Sequence, residues 1–249
     1  MLTYVRSSLG ARFKDDNLRL ARPKLLVDVG RIGELASIEE SADAIRVGAG
    51  VTHASIEDAP ARFKQCAPLP AVAAGIAYRA IRNRGTIGGS LAHADPAADW
   101  PLALAALDAT VVVAGPAGER RIAADRLMRA AFTTALRDDE MIIAIEVPKL
   151  SKSARWGYYK FCKKTGEFPD ASGAALFDPE RNVARLMAGA LSGPPVMLEA
   201  IARGMAQQGA SALTTTAVDT ALAAAMPALD AVDRKIHVTA IMRAAKQVL

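Results

Sequence analysis

The chain has only two cysteines in 249 residues, Cys66 and Cys162, with no Cys-x-x-Cys pair and no histidine at metal-ligand spacing around either. No thiolate metal site or iron–sulfur cluster is therefore expected on this chain, and both cysteines read as reduced core thiols. Long apolar runs are also missing. Stretches such as Pro101 to Ala106 fall far short of the roughly 20 residues that span a bilayer, and the N-terminus carries no basic region followed by an apolar one. A cytoplasmic protein with no membrane span is expected. The net charge of +5, from 31 Lys+Arg against 26 Asp+Glu, is scattered from Arg6 to Lys246 without a basic run. With no aromatic-basic interleaving, this reads as a solvated surface and no nucleic-acid partner is expected, although a positive field favours an anionic cofactor or an acidic partner subunit. Of the three histidines, His53 and His237 have no carboxylate pattern nearby. Ser90, His93 and Asp95 share one short stretch without a nucleophile elbow, so no catalytic residue is assigned.

What is present is a globular composition, 51% hydrophobic and 23% charged, with enough apolar residues for one large domain or two smaller ones. Leu25 to Val29 and Ala44 to Val51 read as strands, the second with glycines as in an edge or turning strand. Thr52 is an N-cap candidate, and Pro70 to Ala77 reads as a short helix. Trp100 to Leu107 is helix-like, Thr110 to Ala114 is strand-like and turns at Gly115 to Gly118 into a hairpin, and Met141 to Val147 is a further strand. The polar stretch Lys149 to Arg155 marks the boundary, giving domains of 1–150 and 151–249. Beyond it Trp156 to Phe161, Ala171 to Phe177 and Val183 to Leu191 resemble a meander. Pro194-Pro195 opens a helix that Gly209 stops, with Leu198, Ile201, Ala202 and Met205 on one face. The last helix carries a stripe of Ile236, Ala240, Ile241, Ala244 and Val248. The class is α+β with two lobes.

From Asn83 to Pro96 the pattern breaks into a glycine-rich loop of the kind that adopts conformations a Cβ forbids. Within it Thr86-Ile87-Gly88-Gly89-Ser90 suits a pyrophosphate, because paired glycines let backbone N–H groups approach an anion and the flanking hydroxyls donate to it. A Gly-Gly between small polar residues is by itself more often a simple turn.

The neighbourhood changes that balance. Ile81-Arg82-Asn83-Arg84-Gly85 before the loop and Leu91-Ala92-His93-Ala94-Asp95-Pro96-Ala97-Ala98-Asp99 after it make a string that resembles the second flavin-binding loop of the xanthine dehydrogenase and carbon monoxide dehydrogenase family. Asn17 to Pro23 with Leu26-Val27-Asp28, then Asp139 to Pro148, then Tyr159-Lys160-Phe161, agree in order. The resemblance implies the two-lobed FAD-binding fold of the vanillyl-alcohol oxidase type, an N-terminal FAD lobe plus a C-terminal antiparallel sheet with helices, with FAD between them. It implies an FAD-binding electron-transfer subunit. Partner subunits would carry the rest: iron–sulfur clusters on a small subunit and a molybdopterin cofactor on a large one.

Carried over by position, Thr86, Ile87, Gly88, Gly89 and Ser90 hold the pyrophosphate and adjoining atoms, with Ser90 where the family more often has Asn or Asp. Asp99 binds the cofactor's polar tail, Ile142 packs at the flavin or adenine, and Lys160 meets the cofactor near its ring. Without the resemblance these three read as a helix-start cap, a core strand residue and a surface lysine. One departure stands out. The family's first glycine loop, Ala-Gly-Gly-x-Ser, corresponds here to Ser7-Ser8-Leu9-Gly10-Ala11, within a divergent 1–16 segment, and the family's strand-helix-strand is not expected before it. Half of the phosphate cradle is expected to be lost and FAD binding weakened. Two alternatives share the pattern: a flavin-free structural subunit and a stand-alone flavin oxidoreductase of the same fold.

Overall fold

A computed structural model describes residues 27–249, in two compact units. The readings of Ser7 to Ala11, Asn17 to Pro23, Leu25 and Leu26 lie outside the described residues, and Asp28 and Val29 belong to no strand.

The first unit takes in residues up to Asp95 together with Asp108–Lys149. Its main sheet is antiparallel with strands in the order β1 (Ile38–Glu40), β2 (Ala44–Gly48), β7 (Met141–Pro148), β3 (Thr110–Gly115) and β4 (Gly118–Ala123). A small ribbon joins β5 (Met128–Ala130) to β6 (Thr133–Thr134). The β-branched Val111 to Val113 fall in a strand with neighbours on both sides and are fully buried, as the apolar run requires. Burying each such side chain contributes about 1.5–3 kcal/mol. β2 lies inside the sheet, not at its edge. Between β2 and β3 in sequence run the short helices α1 (His53–Glu57), α2 (Pro68–Ala74), α3 (Arg79–Arg82) and α4 (Ile87–His93). Thr52 caps α1 as its sequence predicts, its hydroxyl accepting from Ser55 N at 3.1 Å.

The second unit takes in Pro96–Leu107 and Leu150–Leu249. The segment carrying α5 (Asp99–Ala106), which the sequence places in the first lobe, thus packs with the second unit. The sheet here is an antiparallel meander of β8 (Arg155–Phe161), β9 (Ala171–Asp178), β10 (Val183–Gly189) and β11 (Val196–Met197). Three helices follow: α6 (Glu199–Gln208), α7 (Thr215–Ala225) and α8 (Ala231–Ala245).

The meander has a helix on each face. On one, α8 lies directly on the sheet because β8 and β9 present glycines to it. A Cβ on Gly157 would sit 2.0 Å from Ala244 O, and one on Gly173 2.7 Å from Ile241 Cα. Leu186, Ala188, Ile201, Val218, Leu222 and Ile241 close that core. On the other face Leu102, Ala105 and Ala106 of α5 meet Ala174 and Met187. Every residue of α5 is buried, so the helix has no solvent face.

Three expectations need correction. The helix after Pro194-Pro195 begins only at Glu199, because Val196 and Met197 pair with Ala188 and Met187 in the ladder. Gly209 stops it at φ +63, and Leu198, Ile201, Ala202 and Met205 are buried. Cys66 is a buried thiol, but Cys162 is half-buried just beyond β8 and not in the core. In the last helix Ala240, Ile241 and Ala244 are buried with the following Val248, whereas Ile236 is half-buried.

Candidate functional site

The glycine-rich segment is held from below by α1. Arg82 donates from Nε and Nη2 to the Glu57 carboxylate at 2.7 and 3.1 Å and from Nη1 to the carbonyls of Ile76 and Ala77. His53 N donates to Gly85 O at 2.8 Å, and Thr52 and Thr86 form an antiparallel bridge. The His53 ring is buried against Gly85, where an added Cβ would stand 2.6 Å from its Nε2. Burial and then the Arg82 charge push the His53 pKa down to about 4, so the ring is neutral at ordinary pH.

Thr86 then caps a helix. Its Oγ1 accepts from Gly89 N at 3.0 Å, and α4 runs to His93, ending at Ala94 in the left-handed conformation. The segment is thus helical where an irregular loop is expected, and Gly85, Gly88 and Gly89 all have negative φ. Gly88 has a different use. A Cβ there would fall 2.4 Å from Ala49 Cβ and 2.8 Å from Ala49 O, so glycine permits the contact of two backbones.

The expected nest of amides is also closed. Ile87 N donates to Val51 O at 3.1 Å, Gly88 N to Ala49 O at 3.0 Å, Gly89 N to Thr86 Oγ1 and Ser90 N to Thr86 O at 3.0 Å. What the segment offers an anion is its hydroxyls. Thr86 Oγ1 accepts a bond and keeps its own proton to donate, and Ser90, one turn later, is half-buried. Ile142 is buried on β7 in the same unit. Its neighbour Ile143 accepts from Ala49 N at 2.9 Å, and Ala49 O accepts from Gly88 N, which ties that strand to the glycine helix.

The other two residues belong to the second unit, and they meet each other. Lys160 Nζ lies 2.9 and 3.0 Å from the two carboxylate oxygens of Asp99, and Tyr158 Oη donates to Asp99 Oδ1 at 2.7 Å. Side-chain exposures of 7% for Asp99 and 19% for Lys160 make this a largely buried ion pair, with Asp99 at the first position of α5. Burial first, and then the Asp99 charge, raise the Tyr158 pKa well above its usual value, so it stays a proton donor. Lys160 is no surface lysine. The resemblance places Asp99 at the cofactor's tail and Lys160 at its ring; here the two side chains meet each other. Tyr158, to which the resemblance does not point, joins them from two residues before Lys160 on one strand and so from the same face.

A family profile described as the FAD binding domain in molybdopterin dehydrogenase matches residues 13–150, more than half of the chain and a span that contains the whole glycine segment. The chain belongs to the family of FAD-binding medium subunits of the molybdenum hydroxylases.

Similar members include the nicotine 6-hydroxylase medium subunit of Paenarthrobacter nicotinovorans, 41% identical over 159 residues, which are 64% of this chain and 56% of that protein. The carbon monoxide dehydrogenase medium chain of Hydrogenophaga pseudoflava is 34% identical over 165 residues, 66% of this chain and 58% of that one. This FAD-subunit relative thus spans about half the length of the curated proteins it matches. Among solved structures, carbon monoxide dehydrogenase from Hydrogenophaga pseudoflava lacking the Mo-pyranopterin moiety superposes with a TM-score of 0.83 at 28% identity, over 95% of this chain and 86% of that one. Quinoline 2-oxidoreductase from Pseudomonas putida 86 gives 0.79 at 28% identity, over 95% and 87%. The expected α+β class, helices with antiparallel sheets, agrees with these structures. Among the described residues no His, Cys, Asp and Glu group is arranged to hold a metal ion, and no helix is long and apolar enough to cross a membrane.

Proposed function

We propose that this chain binds FAD and serves as the electron-transfer subunit of a molybdenum hydroxylase. When bound, FAD supplies the redox step that takes electrons from iron–sulfur clusters on a small partner subunit and passes them to an external acceptor. The hydroxylation itself belongs to a molybdopterin-binding large subunit. The observation that carries this reading is the family match over residues 13–150, within which the Thr86–Ser90 segment keeps its hydroxyls at both ends of a glycine pair.

The residues present fit the cofactor in part. Thr86 and Ser90 supply hydroxyl donors for phosphate oxygens, and Ile87, Gly88 and Gly89 form the turn that sets these two donors one helical turn apart. Ile142 supplies an apolar surface in the first unit. In the second, Asp99 supplies an acceptor for hydroxyl groups and Lys160 a cation for a polar edge of the ring system. No group here is assigned to the organic substrate.

A second reading, a flavin-free structural subunit, is favoured by one specific observation: the amides of residues 87 to 90 are all committed within the protein. Cofactor content separates the two. The chain expressed with its neighbours and isolated by a tag is expected to be yellow and to bring down iron and molybdenum. A colourless preparation that co-elutes with both metals supports the structural subunit, and a yellow one without either supports a stand-alone flavin oxidoreductase.

A further inference from the structure

The Asp99, Lys160 and Tyr158 cluster is built from parts far apart in sequence, with Tyr158 and Lys160 separated from Asp99 by 59 and 61 positions. Tyr158 is fixed at both its ring and its backbone. Its ring stacks on Trp156 at 6.2 Å and 8°, and its backbone N and O are both held by the side-chain amide of Gln247, at 3.3 and 3.2 Å. That amide takes the place of a neighbouring strand along the open edge of β8. The hydroxyl is thereby presented to Asp99 Oδ1, the oxygen that Lys160 also approaches.

We propose that Tyr158 is a positioning residue whose hydroxyl holds the Asp99 carboxylate against Lys160, and so sets how much uncompensated positive charge β8 presents to a bound flavin. The charge-setting part rests on the proposed function above, in which Lys160 meets the cofactor near its ring. The physical argument is one of restraint. A carboxylate held by a neutral donor and an ammonium together has fewer orientations than one held by the ammonium alone, and it screens the ammonium more completely. Removing the hydroxyl leaves ring, stacking and strand intact and loosens only the carboxylate.

A packing role alone predicts no change at Lys160 when the hydroxyl is removed, and this separates the two accounts. In the FAD-free chain, acylation of Lys160 is measured by mass spectrometry relative to the exposed Lys163 and Lys164 of the same molecule. Y158F is expected to raise the relative rate at Lys160 by about threefold or more and D99N by about tenfold, with a cooperative melt retained. In the FAD-loaded chain the flavin midpoint potential is expected to fall in K160M and to rise in Y158F and D99N, since uncompensated positive charge favours reduction. Failure of the wild-type chain to take up FAD would refute the proposed function and the charge-setting step with it, while the labelling still decides whether Tyr158 positions Asp99. Uptake of FAD with unchanged Lys160 reactivity in Y158F overturns the inference alone. If Y158F loses its cooperative melt, D99N decides: Lys160 reactivity unchanged there refutes the pairing.

Discussion

The glycine helix of the first unit and the Asp99–Lys160 pair of the second answer to the same resemblance, yet they hold their residues in opposite ways. Around Thr86 to Ser90 the backbone does the work: each amide from Ile87 to Ser90 has a protein acceptor, and Gly88 exists so that Ala49 can touch it. Around Asp99 side chains do it, through Tyr158 Oη and Lys160 Nζ. A motif written in consecutive residues therefore fixes a local shape before it fixes a ligand contact, whereas residues drawn from distant strands and helices define an electrostatic site directly.

The contrast can be broken most forcefully at Asp99. Asp99→Ala removes an ion-pair partner of a largely buried ammonium and is expected to cost about 3–5 kcal/mol in urea unfolding; a cost below about 1 kcal/mol would mean that Lys160 turns to solvent. On the glycine side the matching element is His53. Its folded pKa near 4 lies below the value of about 6.5 for an unfolded histidine, so between these the unfolded state binds the extra proton. Stability from this group is complete above about pH 6.5 and falls by about 3 kcal/mol on the way down to pH 4. Unfolding measured across that window should lose this slope in His53→Gln.

Smaller effects sharpen the comparison. Gly88→Ala forces a Cβ into Ala49 and is expected to cost about 1–3 kcal/mol, read as a lower melting temperature. Thr86→Val removes a helix cap for about 1 kcal/mol, and it should weaken FAD affinity by about tenfold through the lost hydroxyl donor. The same FAD affinity in wild type and Thr86→Val would remove the hydroxyl from the cofactor site.

Much of the architecture was legible because it rests on period and punctuation. The strands at Thr110, Met141, Trp156 and Ala171, the turn at Gly115 to Gly118, the Thr52 cap and the Gly209 stop each follow from local chemistry. The family was legible from the string Ile81 to Asp99, with Asn17 to Pro23 and Leu26 to Asp28, Asp139 to Pro148 and Tyr159 to Phe161 agreeing in order. What escaped depended on tertiary contacts. Glycines read as markers of an irregular loop are instead points of close approach, at His53 for Gly85 and at Ala49 for Gly88. Helix α5, placed in the first lobe by its position in the chain, packs on the second sheet through Leu102, Ala105 and Ala106, and all of its residues are buried. Tyr158 escaped because nothing in its neighbours along the chain announces a carboxylate 59 positions away.

The central claim is that this chain still takes up FAD although the amides of residues 87 to 90 are spent within the protein, with the Thr86 hydroxyl and the Asp99 carboxylate each contributing to its affinity. Titration of the purified chain with FAD, followed by quenching of flavin fluorescence, tests it most directly. Saturable uptake of one FAD per chain, weakened in Thr86→Val and in Asp99→Ala, is the expected result; a wild-type chain that quenches no flavin at any concentration reached would contradict it.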